Sequence, residues 1–263
     1  RPFMNAITVI SICFNNLSDL QKTCISVDEQ TVHPDEHLII NGSTNDEIAD
    51  WLNSQPQPRY RRWINERDKG IGDAFNKGIL NASHPITHLL HAGDTYASEN
   101  VLAIVQNFFT EHPQIAWSSG NIKVVRGGET IVIGKPFDAS KLYRGMRSVA
   151  HPTWFVKKEV YNRIGLFNNE IKIAMDYDLM CRIANEPYGY INETIAIFDD
   201  SGISTKNYKQ SLKDNIAIYE HYFGYSLKCR IWQLRLRILH WLLQTSLGKW
   251  LFKIKKGLGL ANA

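Results

Sequence analysis

Two stretches of this sequence place carboxylates where they could do chemistry. The first runs from Asn65 through Glu66-Arg-Asp-Lys-Gly-Ile-Gly-Asp-Ala-Phe-Asn-Lys-Gly78 and, after a short polar turn, His88-Leu-Leu-His-Ala-Gly-Asp94. It reads as a polar loop, a helix and a buried strand that delivers Asp94 to its C-terminal tip, the edge at which open α/β sheets bind ligands. Ala92 and Gly93 are small enough to let a diphosphate approach the backbone. A carboxylate placed there could share a divalent cation with two phosphates and neutralise a leaving group, although a strand-end aspartate can also merely cap a turn. The second stretch, Met175-Asp-Tyr-Asp-Leu179, opens a helix. Two residues apart on a helix, Asp176 and Asp178 cannot face one site. One can serve as a base toward a hydroxyl while the other caps or pairs. Both also suit a helix N-terminus for its dipole alone.

The elements that must position these groups follow from periodicity. Ala6–Phe14 is a β-branched run typical of a strand buried on both faces. Leu38–Ile40, Tyr60–Ile64 and His88–His91 supply three further strands. Capping boxes at Ser18/Gln21 and Thr44/Glu47 predict two helices, residues 73–81 a third, and Ser98 caps a fourth. This alternation predicts a parallel, doubly wound sheet. Beyond residue 115 the pattern changes to a hairpin, Ile122–Val125 with Thr130–Ile133. Helices over 157–164 and 176–185 and a strand over 190–198 complete the reading. Phosphate-binding glycine loops, the Gly-x-Ser-x-Gly elbow and metal-spaced histidines are absent from the sequence.

Together these motifs resemble the family 2 glycosyltransferases of GT-A fold, over roughly residues 6–205. Bacterial members carry Glu-x-Asp-x-Gly-Ile-x-Asp-Ala-x-Asn-x-Gly, matched by Glu66–Gly78, then a strand ending Asn-Ala-Gly-Asp, where this chain has His91-Ala-Gly-Asp94. They also carry Gly-Gly-Phe-Asp-Glu and Glu-Asp-x-Asp-Leu; here Gly165-Leu-Phe-Asn-Asn-Glu170 and Met175–Leu179 stand in their place. The resemblance implies a Rossmann-like, mostly parallel α/β sheet with helices on both faces. It implies inverting transfer of a sugar from a nucleotide diphosphate carrier to an acceptor hydroxyl, with Asp176 as base and Asp94 binding Mn²⁺ or Mg²⁺. Donor contacts would come from Phe14 over the base and Asn41, which replaces an aspartate after strand two. Asp68 would meet base or ribose, and Asp73 ribose or sugar. Lys69 would reach a phosphate, Ala92 and Gly93 would flank the diphosphate, and Asn76 completes the block. His151 would face the acceptor pocket, Trp154 would stack on a sugar or fill the core, and Ser204 of Ser201-Gly-Ile-Ser would close over the diphosphate.

Bulk properties narrow the setting. An apolar content of 44% supports a real core. The four scattered cysteines lack zinc or disulfide spacing, so a reducing, cytoplasmic compartment is expected. The opening residues lack a signal-peptide pattern, and Met4 reads as the native start behind a foreign Arg1-Pro2-Phe3. From His221 to Ala263 there are eight basic and no acidic residues; against a net +4, the first 220 residues therefore carry −4. The expected organisation is a catalytic domain over 1–205, with a nucleotide-sugar half at about 5–96 and an acceptor half at 97–205. A basic amphipathic helical tail follows over 206–263. In that tail Trp232, Leu236, Leu239 and Leu243 follow helical spacing, joined by Trp241, Trp250 and the Lys249–Lys256 cluster. Its apolar runs are too short to span a bilayer. They suit an anionic surface at the inner face of the plasma membrane, or packing on the body or on the second subunit of a homodimer. Trp and Leu between the charges argue against nucleic acid. The expected reaction uses a UDP-sugar by preference and a lipid-linked saccharide, in O-antigen, capsule or exopolysaccharide assembly. The departures at Ile40, His91 and Met175 keep a second reading open: a non-catalytic nucleotide-sugar-binding or scaffold protein with a decayed site.

Overall fold

The computed structural model describes residues 5–126, 129–146, 149–199 and 208–245. Nine strands form one sheet: β1 (Ile7–Cys13), β2 (Glu36–Asn41), β3 (Arg61–Asn65), β4 (Ile86–Leu89), β5 (Thr95–Tyr96), β6 (Trp117–Arg126), β7 (Glu129–Ile133), β8 (Phe155–Lys157) and β9 (Tyr188–Asp199). Their order is β3-β2-β1-β4-β8-β6-β9-β5, with β7 paired on β6. The N-terminal part is parallel as the alternation predicts, β1 lying between β2 and β4 and β2 beside β3. The second part is mixed: β8 runs antiparallel to β4 and β6, β7 to β6 and β5 to β9, while β6 and β9 are parallel.

The helices are α1 (Leu17–Asp28), α2 (Glu47–Ser54), α3 (Ile71–Asn81), α4 (Val101–Glu111), α5 (Lys158–Ile164), α6 (Met175–Ile183), α7 (Tyr208–Phe223) and α8 (Leu227–Gln244). They cover both faces, and the period-2 alternation of β1 shows how. Ile10 and Ile12 pack with Phe75 and Ile79 of α3 and Leu179 of α6. Ile7 and Val9 face Val101 and Val105 of α4, and Cys13 meets Leu20 of α1.

The capping boxes do not form. Asn16, Asp46 and Asn100 occupy the N-cap positions of α1, α2 and α4, rather than Ser18, Thr44 and Ser98. Thr44 is drawn away because its hydroxyl accepts from the Asn15 side chain at 2.8 Å.

The C-terminal helices join the body. Leu212 and Ile218 of α7 are buried, Ile218 in the cluster that contains α6. From α8, Cys229 and Gln233 are buried, and the Gln233 amide donates to the Tyr143 carbonyl at 3.1 Å. This narrows the predicted outer face: Trp232 meets Tyr143 edge-on at 5.9 Å, whereas Leu239 and Leu243 are exposed together with Leu227, Ile231, Leu234, Ile238, Trp241 and Leu242. Leucine and isoleucine occur almost all round α8, so spacing admitted two faces and packing on Tyr143 chose between them. Lys249, Trp250, Lys253, Lys255 and Lys256 lie outside the described residues.

Helix α3 approaches β1 so closely that a Cβ on Gly78 would lie 2.3 Å from Ile10 Cγ2. Glycine to alanine inside a helix ordinarily gains ~0.5–1 kcal/mol. Here Gly78→Ala should instead lose about 1–3 kcal/mol through overpacking against a stiff β-branched side chain. Urea unfolding followed by circular dichroism measures this; an unchanged or higher midpoint would contradict the close approach.

Candidate active site

At the C-terminal edge of β1, β2 and β3, the loops assemble a polar shelf. Phe14, 57% exposed, ends β1 with an open ring face. The next residue, Asn15, has φ of 52°, and its side chain accepts from the Thr44 amide at 2.9 Å, tying the β1 loop to the β2 loop. Asn41 is buried: its amide donates to Asn65 Oδ1 at 2.9 Å and its oxygen accepts from the Ser43 amide at 3.1 Å. Asn41 is therefore already engaged by its neighbours. The Asp68 carboxylate lies against Gly42, where a Cβ would come 1.7 Å from Oδ2. One Asp68 oxygen accepts from the Gly70 amide at 3.0 Å.

Two more residues of the block, Asp73 and Asn76, bond to the protein itself. Asp73 accepts from the Lys69 amide at 3.0 Å and pairs with Lys77 at 3.4 Å; the first of these bonds, followed by the lysine charge, holds its carboxyl below the usual range. Lys69 is exposed. Asn76 is a clasp: it accepts from the Phe167 amide and donates to the Phe167 carbonyl, each at 2.9 Å. Its amide thereby ties α3 to the loop leading to α6.

The catalytic candidates converge elsewhere on the same edge, around a cavity of about 940 Å³. Asp94, His91, Asp176 and His151 all line it, with Asp19 and Lys22 from α1. Sequence reading missed the α1 contribution, because Asp19, Lys22 and Thr23 sit on an ordinary amphipathic helix and carry no motif. Beyond β4 the chain turns at His91-Ala92-Gly93-Asp94, closed by the Asp94 amide on the His91 carbonyl at 2.9 Å. Gly93 has φ of 106°, a conformation suited to glycine. The Thr23 hydroxyl accepts from the Gly93 amide at 2.9 Å and donates to the Asp94 carbonyl at 2.8 Å.

Electrostatics divide the two aspartates. Asp94 is 6% exposed, and burial pushes its carboxyl up to about 7, opposed by a hydrogen bond from the His91 amide. Asp176 remains 38% exposed, with His151 Nδ1 3.7 Å from its carboxylate. His151 is buried and edge-on to Phe75, Trp154 and Phe167; Trp154 is itself core, against Trp117. Burial lowers the His91 pKa, while the charges of Asp19 and Asp176 oppose that shift. Its Nδ1 lies 2.8 Å from the Ala92 carbonyl, which can only accept, so Nε2 is the unprotonated nitrogen of the neutral ring. Asp178 turns away. Its carboxylate takes two bonds from Arg182, at 2.7 and 3.1 Å, and one from the Tyr222 hydroxyl at 2.8 Å.

Among the described residues no group of three or more His, Cys, Asp or Glu forms a ready metal cage. The donor set fits a cation bound through one carboxylate and substrate phosphates, the manner usual for Mg²⁺. Ser204 lies outside the described residues.

The model of Glycosyl transferase family 2 matches residues 8–165. The chain belongs to that family. Asp94 falls inside the matched stretch and Asp176 beyond it. An uncharacterised glycosyltransferase of Mycobacterium tuberculosis is 29% identical over 204 residues, covering 76% of this chain and 77% of its own. A PGL/p-HBAD biosynthesis glycosyltransferase of Mycobacterium bovis is 25% identical over 206 residues, covering 76% and 75%. In fold, this glycosyltransferase is similar to S. aureus TarS solved with UDP-GlcNAc, with a TM-score of 0.60 at 14% identity over 83% of this chain and 67% of that one. It is similar also to a Pyrobaculum calidifontis mannosyltransferase solved with GDP-Man and Mn²⁺, with a TM-score of 0.59 at 13% identity, covering 97% and 80%. The GT-A type of α/β fold is thereby established.

The raised Asp94 pKa makes a stability prediction. Between the ordinary 3.8 and about 7 the folded glycosyltransferase holds a proton that the unfolded chain releases, so stability falls as pH rises through that window. Asp94→Asn is neutral throughout. Its melting temperature should match the parent near the ordinary pKa and exceed it by a margin that grows toward about pH 7 and then levels. Thermal melts of both proteins across the window test this; a margin independent of pH would refute the assignment.

Proposed function

We propose that this chain is an inverting, metal-dependent glycosyltransferase that moves a sugar from a nucleotide diphosphate sugar, by preference a UDP-sugar, to a saccharide hydroxyl. The observation that carries the reading is the convergence of buried Asp94 and half-exposed Asp176 on one cavity at the C-terminal edge of the sheet. Phe14 offers a stacking face for the base, and Asp68, folded over Gly42, offers a carboxylate for the base or ribose. The diphosphate meets the backbone at Ala92-Gly93, and Lys22 contributes positive charge to the same cavity. Mn²⁺ or Mg²⁺ held by Asp94 and the diphosphate oxygens would supply Lewis-acid neutralisation of the leaving group. Asp176 accepts the proton of the acceptor hydroxyl as that oxygen bonds to the anomeric carbon. The bond to the diphosphate breaks on the opposite side, which inverts the anomeric centre. The buried His151 imidazole lies 3.7 Å from the Asp176 carboxylate, close enough to meet the acceptor beside the base.

The acceptor is proposed to be a lipid-linked saccharide of O-antigen, capsule or exopolysaccharide assembly, met at the inner face of the plasma membrane. Among the described residues no helix is long and apolar enough to cross a membrane, so a peripheral association is the form proposed. The relative named for PGL/p-HBAD biosynthesis supports a biosynthetic role.

Three variants and one titration test the reading. Asp176→Asn should lower transfer ~10²–10⁴-fold with donor binding near normal, because a positioned base is worth that much; turnover above about a tenth of the parent would remove Asp176 from the chemistry. Asp178→Asn should act on folding, lowering the melting temperature by breaking its pair with Arg182 and Tyr222. Gly42→Ala should weaken nucleotide binding by displacing the Asp68 carboxylate. Calorimetry should find Mn²⁺ bound weakly alone and tightly with UDP. Nucleotide-sugar binding with neither transfer nor hydrolysis, across UDP-, GDP- and dTDP-sugars, would mark a non-catalytic binding protein instead.

A further inference from the structure

Helix α8 has two apolar faces, and they do different things. On the inner side Gln233 and Cys229 are buried, and Leu236 reaches the cavity wall. On the outer side Leu227, Ile231, Leu234, Ile238, Trp241 and Leu242 are exposed, Trp241 at 62%. At ~100° per residue these six fall within an arc of about 100°, and Leu239 and Leu243, exposed as well, lie outside it. Lys228 and Arg235 border that arc on one side, Arg230 and Arg237 on the other. No acidic residue occurs between Leu227 and Gln244. Two of the cations are seated on aromatic rings, Lys228 over Tyr143 of the body at 4.1 Å and Arg235 over Trp232 of α8 itself at 5.0 Å. Arg230 is already paired with Glu220 at 2.6 Å.

We infer that the outer stripe of α8 is a bilayer-docking surface that seats the protein on anionic lipid headgroups, with the cavity one helix-width behind it. An apolar arc bordered by cations on both flanks suits the headgroup interface: the arc enters the acyl boundary while the cations meet lipid phosphates. A second copy is the weaker occupant. A two-fold contact sets the same surface against itself, so it would bring the cationic borders of two helices together with no carboxylate on either helix to meet them.

The inner face gives this docking a purpose. The cavity that Leu236 lines also carries the apolar side chains of Ile122, Val124, Ile133, Phe198 and Leu212. A helix is about 10 Å across, so one helix width separates the docked stripe from the Leu236 wall of the chamber that Asp176 also lines. An acceptor with an apolar anchor would reach the base while its chain stays near the interface. That last step rests on the transferase reading; the docking itself does not.

The test uses the full chain and vesicles of phosphatidylcholine with or without phosphatidylglycerol, read by sedimentation. The parent should bind the anionic vesicles, release with rising salt and ignore the zwitterionic ones. The combined Ile231→Ser, Leu234→Ser and Ile238→Ser protein should bind at least tenfold more weakly, yet keep the parent's thermal stabilisation by UDP and Mn²⁺. Should the triple variant fold poorly, Arg235→Gln with Arg237→Gln leaves the apolar arc intact and should weaken binding about tenfold with a shallower salt dependence. Equal sedimentation of parent and folded variants overturns the inference, as does a parent that binds neither vesicle. So does a parent dimer, seen by analytical ultracentrifugation, that the triple substitution splits without any vesicle binding. A parent that docks on vesicles but turns over no nucleotide sugar leaves the docking surface standing and removes the transferase reading.

Discussion

The Thr23 hydroxyl, bonded at once to the Gly93 amide and the Asp94 carbonyl, fixes the turn on which the site is built. Three facts meet there. β4 ends at Leu89, yet the Leu90 and Ala92 amides still bond to β1, so the chain runs on in register before it turns. Gly93 takes a backbone angle suited to its lack of a side chain, and it packs close to Asp19. Asp94 is then left under cover, where ionisation is costly because water is excluded and one backbone amide is its hydrogen-bond donor. A carboxylate kept near its titration point in a cavity is poised to exchange a proton for a cationic partner, a pattern that marks functional sites. The helix that clamps the turn therefore has as large a part in the site as the strand that delivers it.

Asp176 is handled in the opposite way. It sits in the first turn of α6, half-exposed, and its neighbour in space is the buried imidazole of His151. Phe75, Trp154 and Phe167 surround that imidazole, and the Asn76 clasp holds the Phe167 backbone. A chain of contacts thus runs from α3, through one asparagine, to Asp176. The block around residues 66–78 is therefore tied to the surroundings of Asp176, although sequence reading gave it to the donor alone.

This contrast explains what could be read from the sequence. Strand runs such as Ile7–Cys13 were legible because burial on both faces leaves a continuous apolar word. The positions of Asp94, past the end of β4, and of Asp176, in the first turn of α6, were legible because periodicity marks where elements end and begin. The uses of Asn41, Asp73 and Asn76 were not, since an amide or carboxylate beside a backbone can serve the protein as readily as a ligand, and spacing does not distinguish the two. The helix starts failed for a related reason: Ser18, Thr44 and Ser98 are good caps in isolation, but loop contacts from distant sequence, such as Asn15 on Thr44, decided otherwise. Asp19, Lys22 and Thr23 became visible only when α1 was packed beside the turn.

The C-terminal helices are tied to the chemistry by a buried network. Arg182 binds the carbonyls of Ile164 and Gly165 and the carboxylate of Asp178, and Tyr222 of α7 completes that carboxylate. Breaking one member would leave a buried charge uncompensated, which is far costlier than losing a surface pair. Helix α6 is therefore held between α5 and α7, and with it the orientation of Asp176 one turn-face away. Removing the chain from about residue 225 onward would take Leu236 out of the cavity wall and break the Gln233 bond to Tyr143, so it would alter the cavity and remove the exposed apolar stripe together. The two roles of α8 lie on opposite faces of one helix. They can be separated by exposed side chains and not by truncation.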